Sequence, residues 1–233
     1  MGTYGSIQDR VQGRVIDLPT FVNSEVPTLV NSAIKILQDQ HNFKVMETLM
    51  SAQQTTVSTR VLTTLPSAFK EFNGDPYYIT DLGDTYFLSV AGTRQGLTAE
   101  YANDDAGRPR SLFISEPTDT GAANLEVYPL PDGNSDYDNG EYRIYIPYYR
   151  YLTALSADAD TNWFTVNAEE YIVEKATSLA FMLDWDYDSA ALWGQAAEGW
   201  KKDIVKRDKM QRLVGFDTLV PHYRGANSPR VRF

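Results

Sequence analysis

Two clusters of acidic residues have a spacing that could hold a divalent cation. Asp132, Asn134, Asp136 and Asp138 alternate like the first ligands of an EF-hand loop. The sixth position is Tyr137, where that loop's sharp turn needs glycine, and the twelfth is Arg143, where the bidentate glutamate belongs. A solvated hairpin turn is the favoured reading. Asp184, Asp186 and Asp188 form the second cluster, in D-W-D-Y-D. They stand between two helical patterns, where an aspartate caps the helix that follows, and capping is preferred over metal binding. Ser67-Ala-Phe-Lys70 matches S-x-x-K, but neither S-D-N nor K-T-G follows it. His41 and His222 are the two histidines; His41 is read as an exposed or packed helix residue. There is no cysteine, which excludes disulfides, thiol catalysis and thiolate metal sites and suits synthesis in a reducing cytosol. No glycine-rich phosphate loop occurs. The sequence therefore points away from an enzyme: no catalytic residue, metal or cofactor is expected.

The aromatic strand Tyr142–Tyr151 could stack bases, as single-strand readers do. Its surroundings are acidic and repel phosphate, so its tyrosines are assigned to core and subunit interface. Charge is unevenly distributed. Residues 201–233 hold nine Lys or Arg against three Asp, a net +6, so the first 200 residues carry −16 of the chain's total of −10. A helix dipole accounts for Lys206, Arg207 and Lys209. It leaves Arg224, Arg230 and Arg232 unexplained, and an acidic body with a basic arm suggests docking or contact with a polyanion. No apolar run reaches the roughly 18 residues of a membrane span. The first residues lack a signal-peptide pattern, although Met-Gly with Ser6 fits a myristoylation pattern.

These features need elements to position them. Residues 3–14 suit a short helix stopped by Gly13 and Pro19, with Ile7 and Val11 on one face. Ser24 is a candidate cap, and Pro27 falls in the first turn of a helix reaching about Met50. From Gln53 the pattern turns β-branched and alternating, and five or six short strands follow, bounded by Gly, Pro, Asn and Asp. Thr55–Leu65 reads as the first of them, and one helical turn is expected after Ser67. Leu125–Pro131 and Glu141–Tyr149 are expected to pair antiparallel across D-G-N-S-D-Y-D-N-G. After the loop at 154–164, Asn167 with Glu170 has capping-box spacing and opens a helix to about Asp184. The last helix runs from about Ser189 to Leu213 and is capped by Gly215. The expected bundle core is Leu29, Ile34, Leu37, Ile172, Leu179, Leu183, Trp193, Trp200 and Ile204. The fold class expected is α+β: a four-helix bundle from both chain ends (1–54 and 155–213), an inserted antiparallel β domain (55–154), and an extended arm (214–233). Trp163 and Phe164 are the hinge that pins the returning chain to the bundle; Trp163→Ala would cost roughly 3–5 kcal/mol if Trp163 is fully buried.

Four motifs, in order, carry a family likeness: T-L-P-S (Thr64–Ser67), G-R-P-R (Gly107–Arg110), L-E-V-Y-P-L-P-D-G (Leu125–Gly133) and Y-Y-R-Y-L-T-A-L-S-A-D-A-D-T-N-W-F (Tyr148–Phe164). Over about residues 28–213 the chain resembles the head-to-tail adaptor (connector) proteins of tailed bacteriophages; residues 1–27 carry no motif that aligns. The resemblance implies a structural virion protein made in the host cytoplasm and placed at the head-to-tail interface. It implies a dodecameric ring of this chain below the portal, through which genomic DNA passes without sequence-specific binding. The matching docking arm, Leu213–Phe233, implies contact with the portal protein through Phe216, His222, Tyr223, Arg224, Arg230, Arg232 and Phe233. The tail or nozzle protein would meet the β domain or lower face, and no membrane is involved. The alternative expectation is a tail or fibre component that binds a partner through its β domain.

Overall fold

The computed structural model describes residues 2–16, 18, 23–80, 83–101, 106–115, 123–133 and 141–217. It is α+β, with six α-helices and mainly antiparallel sheets among these residues. The chain divides into two compact units, Met1–Val45 with Leu152–Phe233, and Met46–Tyr151. The helices are α1 (Tyr4–Val15), α2 (Val26–Gln40), α3 (Arg94–Glu100), α4 (Trp163–Asn167), α5 (Glu169–Leu183) and α6 (Tyr187–Asp217). The strands are β1 (Glu47–Gln54), β2 (Val61–Thr64), β3 (Phe69–Phe72), β4 (Tyr77–Ile79), β5 (Thr85–Phe87), β6 (Ser89–Ala91), β7 (Ala106–Gly107), β8 (Ser111–Ile114), β9 (Asn124–Tyr128), β10 (Leu130–Pro131) and β11 (Arg143–Arg150).

In the helical unit, α5 packs against α1, α2 and α6, so eight consecutive or near-consecutive positions from Tyr171 to Ala180 are buried, Glu174 among them. α1 opens on a reciprocal cap between Thr3 and Ser6 and continues through Gly13 to Val15. α2 starts with Pro27 in its first turn, where no N–H is needed, but Ser24 does not cap it: a 3-10 turn, Asn23–Glu25, leads in. Leu29, Ile34 and Leu37 on α2, Ile172 on α5 and Ile204 on α6 are buried. Leu179 and Trp193 are half-buried. Two residues assigned to the core are not in it: Leu183 is 55% exposed and Trp200 43%. Leu183 lies in the last turn of α5, past its packed length. On α6 the buried positions run Ala190, Ala197, Ile204, Asp208, a narrow stripe with Trp200 on its margin.

The helix expected to reach Met50 ends at Gln40. Residues 47–54 form β1 instead, because β11 pairs with it from Glu47↔Tyr149 to Gln54↔Arg143 and takes Met50 into the sheet core. The β unit has a five-stranded sheet, in the order β1-β11-β4-β5 with β3 also on β11, and a four-stranded sheet β2-β9-β8-β6. β6 runs parallel to β8, and β7 parallel to β10. β9 and β11 do not form the expected hairpin. They lie in different sheets, and Leu125 and Val127 of β9 pack in one core with Ile144, Ile146 and Tyr148 of β11 and with Tyr142 just before it. T-Y-F-L-S-V splits at buried Leu88, with β5 in one sheet and β6 in the other. The single strand read over Thr55–Leu65 is reduced to Val61–Thr64, and Phe69–Phe72 is a strand where a helical turn was anticipated. α3 lies over β6, capped by Thr93 and fastened by Arg94, which donates to both oxygens of buried Glu126 at 2.8 and 2.9 Å.

Candidate functional site

The longest of the four motifs, Tyr148–Phe164, ends in a segment stitched to the helical unit by its backbone. Leu152 N donates to Gln38 Oε1 at 2.6 Å. Asn31 holds Leu155 at both ends, Nδ2 donating to its carbonyl and Oδ1 accepting from its N–H, each at 3.0 Å. Asp158 and Asp160 carbonyls then accept from Gly5 N and Tyr4 N, two of the otherwise orphaned donors of α1's first turn. A Cβ on Gly5 would come within 2.8 Å of Asp158, so glycine is required by this approach. The Asp160 carboxylate accepts from Ala157 N and Ser156 N, which holds its pKa below the ordinary carboxylate value. Asn162, not Asn167, is the functioning cap: it shares a capping box with Thr165 and starts α4. Asn167 instead donates from Nδ2 back to the Trp163 carbonyl, and α5 begins after Ala168 without a side-chain cap. Phe164 is fully buried and meets Phe43 edge-on at 5.2 Å. Trp163 is only half-buried, stacked loosely on Phe43, so Phe164 is the principal anchor of the pair.

Sequence reading missed the charged fastenings. Asp208, buried on α6, accepts from Lys44 N at 2.8 Å and from Arg212 Nε at 3.1 Å, and lies 3.1 Å from His41 Nε2. His41 is thus a tie between the end of α2 and α6. Arg10 bridges Glu169 and Glu170 at 2.8 and 2.7 Å; this pairing holds the Glu170 carboxyl below its ordinary pKa. Arg14 pairs with Glu174 and covers the ring of half-buried Trp193 at 4.7 Å. The only signal for these contacts was helical spacing of unlike charges, which does not reveal partners about 160 residues apart.

Two surfaces expose apolar side chains. At the α5–α6 turn, Met182, Leu183, Trp185, Tyr187 and Leu192 are exposed. Asp186 caps α6, its Oδ1 accepting from Ser189 N at 3.1 Å, and the Ser189 contacts lower its pKa. Across the outer face of the five-stranded sheet runs a row of Leu49 opposite Pro147, then Tyr145 stacked on Tyr77 at 5.3 Å, then Phe87, which is 68% exposed. Half of the strand Tyr142–Tyr151 therefore faces the core and half faces out. Tyr142 is inward; burial and its bond to Asp132 push its pKa up to about 12. Asn134, Asp136 and Asp138 lie outside the described residues.

α6 continues as helix through Gly215 to Asp217, so Gly215 is not a cap and Val214–Asp217, with Phe216, is not extended. A glycine is tolerated there at a cost of about 1 kcal/mol. His222, Tyr223, Arg224, Arg230, Arg232 and Phe233 lie outside the described residues. At about 1.5 Å per residue, α6 is roughly 46 Å long. Among the described residues no helix is long and apolar enough to cross a membrane.

A family model described as SU10 adaptor protein matches residues 2–220. The chain belongs to the SU10 adaptor family. This is a family of phage head-to-tail adaptors, which makes the protein a structural virion component of a bacteriophage and not a member of an enzyme family. The match extends the likeness to the first helix, where no motif was legible. No curated protein matches the chain. In this SU10 adaptor the return segment is spent on internal hydrogen bonds, and exposed apolar side chains stand at the α5–α6 turn and in the outer aromatic row.

Proposed function

We propose that this SU10 adaptor forms a closed ring, of twelve copies in the simplest reading of the resemblance, that joins the capsid portal to the tail and lets DNA pass. The observation that carries this is the family match over nearly the whole chain. Charge supports it: the −16 of the first 200 residues suits a lumen through which DNA slides without sticking. The basic, aromatic segment past Asp217, with His222, Tyr223, Arg224, Arg230, Arg232 and Phe233, is the portal-docking arm, and Phe216 leads into it from the end of α6. In the same reading α1, α2, α5 and α6 form the four-helix bundle, supported by the packing of α5 against the other three, and Met46–Tyr151 is the insertion. The protein is made in the host cytoplasm and comes to rest at the head-to-tail interface.

Deleting residues 218–233 tests the arm. The truncated protein should melt at the same temperature as the full chain and should no longer bind purified portal. Normal portal binding by the truncation would remove the arm assignment. A second reading, a tail or fibre component acting through its β unit, has one observation in its favour, the exposed row ending at Phe87. In the ring reading that row receives the tail or nozzle protein. Phe87→Asp separates the two: it should spare portal binding and weaken tail attachment.

A further inference from the structure

Two residues of the α5–α6 hairpin oppose their local backbone preference, and no contact among the described residues explains either. The first is Trp185. α5 ends in a Schellman arrangement, with Asp186 N donating to the Phe181 carbonyl at 3.0 Å and Trp185 N to Met182 at 3.3 Å. Trp185 itself is left-handed, φ 63°, a place that favours glycine and penalises a bulky side chain. The tryptophan there is 77% exposed, and its one ring contact is edge-on to Tyr187, itself exposed. The second is Gly199. It sits in the interior of α6, where glycine is unfavourable, and a Cβ there would meet nothing within 4 Å. One residue is too large for its position and the other too small.

Gly199 opens onto a shallow groove of about 600 Å³ between α5 and α6, lined by Lys175, Gly194, Gln195, Glu198, Gly199 and Lys202. Gly194 is small for an internal reason, since a Cβ would stand 3.3 Å from Ser178 Oγ. The groove cannot take its own Trp185, which lies 14 residues away, or about 21 Å along the helix. Trp185 is flanked by Asp184, Asp186 and Asp188, and the groove by Lys175 and Lys202 with Lys206 one turn further; the groove's one acid, Glu198, is already paired with Lys201.

We propose that Trp185 of one copy inserts into the groove at Gly199 of a second copy. The ring would lie between the Lys175 and Lys202 ammonium groups, which are attracted to an indole face. The three acids would oppose the lysines. Knob and groove are different surfaces of one chain, so the contact is heterologous: each added copy leaves one knob and one groove open, and the assembly closes as a ring or grows as a filament. This deepens the ring reading above and rests on its self-assembly, but not on portal binding.

The test uses the full chain with two variants, Trp185→Gly and Gly199→Phe, and sedimentation velocity across a concentration series. The unaltered protein should form species larger than dimers, weakened by salt, and each variant alone should remain monomeric. Mixed together, the variants should give heterodimers and nothing larger, because one retains only the groove and the other only the knob. Trp185→Gly should melt at the same temperature as the unaltered chain or higher, which separates lost docking from lost folding. As the chain lacks cysteine, an Asp184→Cys, Gln195→Cys double variant, which keeps Trp185 and Gly199 and places one thiol beside the knob and one in the groove, should give a disulfide ladder on oxidation. A monomeric unaltered protein without a ladder, variants that still assemble, or a Trp185→Gly that unfolds would each overturn the contact. Portal-bound rings unaffected by either variant would overturn it while keeping the connector reading. A ladder from a chain that never binds portal would keep the contact and remove the connector reading.

Discussion

The return segment 152–167 and the α5–α6 turn both looked like polar connections in the sequence, and they are opposite kinds of structure. The return segment satisfies itself inward. Asn31, Gln38 and the first turn of α1 take its backbone, Asn162 caps α4, and Phe164 is buried. The α5–α6 turn satisfies its backbone locally, with Asp186 capping α6, and leaves Trp185, Tyr187 and Leu192 outside. A turn that spends its side chains inward is fixing the fold. One that places a tryptophan at a left-handed position in solvent is sacrificing stability for something beyond the monomer.

Stability measurements should divide along that line. Phe164→Ala should cost about 3–5 kcal/mol in urea unfolding, and half-buried Trp163→Ala clearly less; equal losses would show that the two rings share the anchoring. Asp208→Asn should cost about 1.5–3 kcal/mol, since a buried acceptor of charged and backbone donors loses its charge. Asn31→Ala should cost about 1–3 kcal/mol, because the Leu155 N–H and carbonyl lose their partner together. Trp185→Gly reverses the sign, adding about 1 kcal/mol by relieving the left-handed backbone. If it destabilises the monomer, the contrast between the two turns fails.

Acid should touch both regions alike. Asp160 and Asp186 have pKa values lowered in the folded state, by Ala157 and Ser156 amides in one case and by Ser189 in the other. A lowered folded value stabilises above the ordinary carboxylate range, and that contribution is lost as pH falls through the folded value. The melting temperature should therefore fall below about pH 4, and Asp160→Asn should flatten that acid limb. An unchanged limb in this variant would mean that Asp160 is not among the groups responsible.

Helix identities were legible because the apolar spacing of Leu29, Ile34 and Leu37, or of Ala197 and Ile204, is set by burial on one face. The end of α2 was not, because Val45, Met46 and Met50 continue a helical spacing, while Val45 and Met46 fall in a 3-10 turn and a strand about 100 residues away pairs with the backbone around Met50. The pairing of β9 with β2 and β8 in place of β11 is likewise long-range. Trp163 and Phe164 both pack on Phe43, and the sequence does not show that Phe164 is the one fully buried. Trp185 was passed over because D-W-D-Y-D reads as a capping turn, and the sign of φ at its centre is invisible in the sequence.

The central claim is that copies of this SU10 adaptor close into a ring on the portal. Negative-stain imaging of the full chain mixed with purified portal measures it most directly. The expected image is a second ring stacked coaxially on the portal, present with the full chain and absent when residues 218–233 are removed. Portal rings that stay bare, or that carry single unclosed copies, would contradict it.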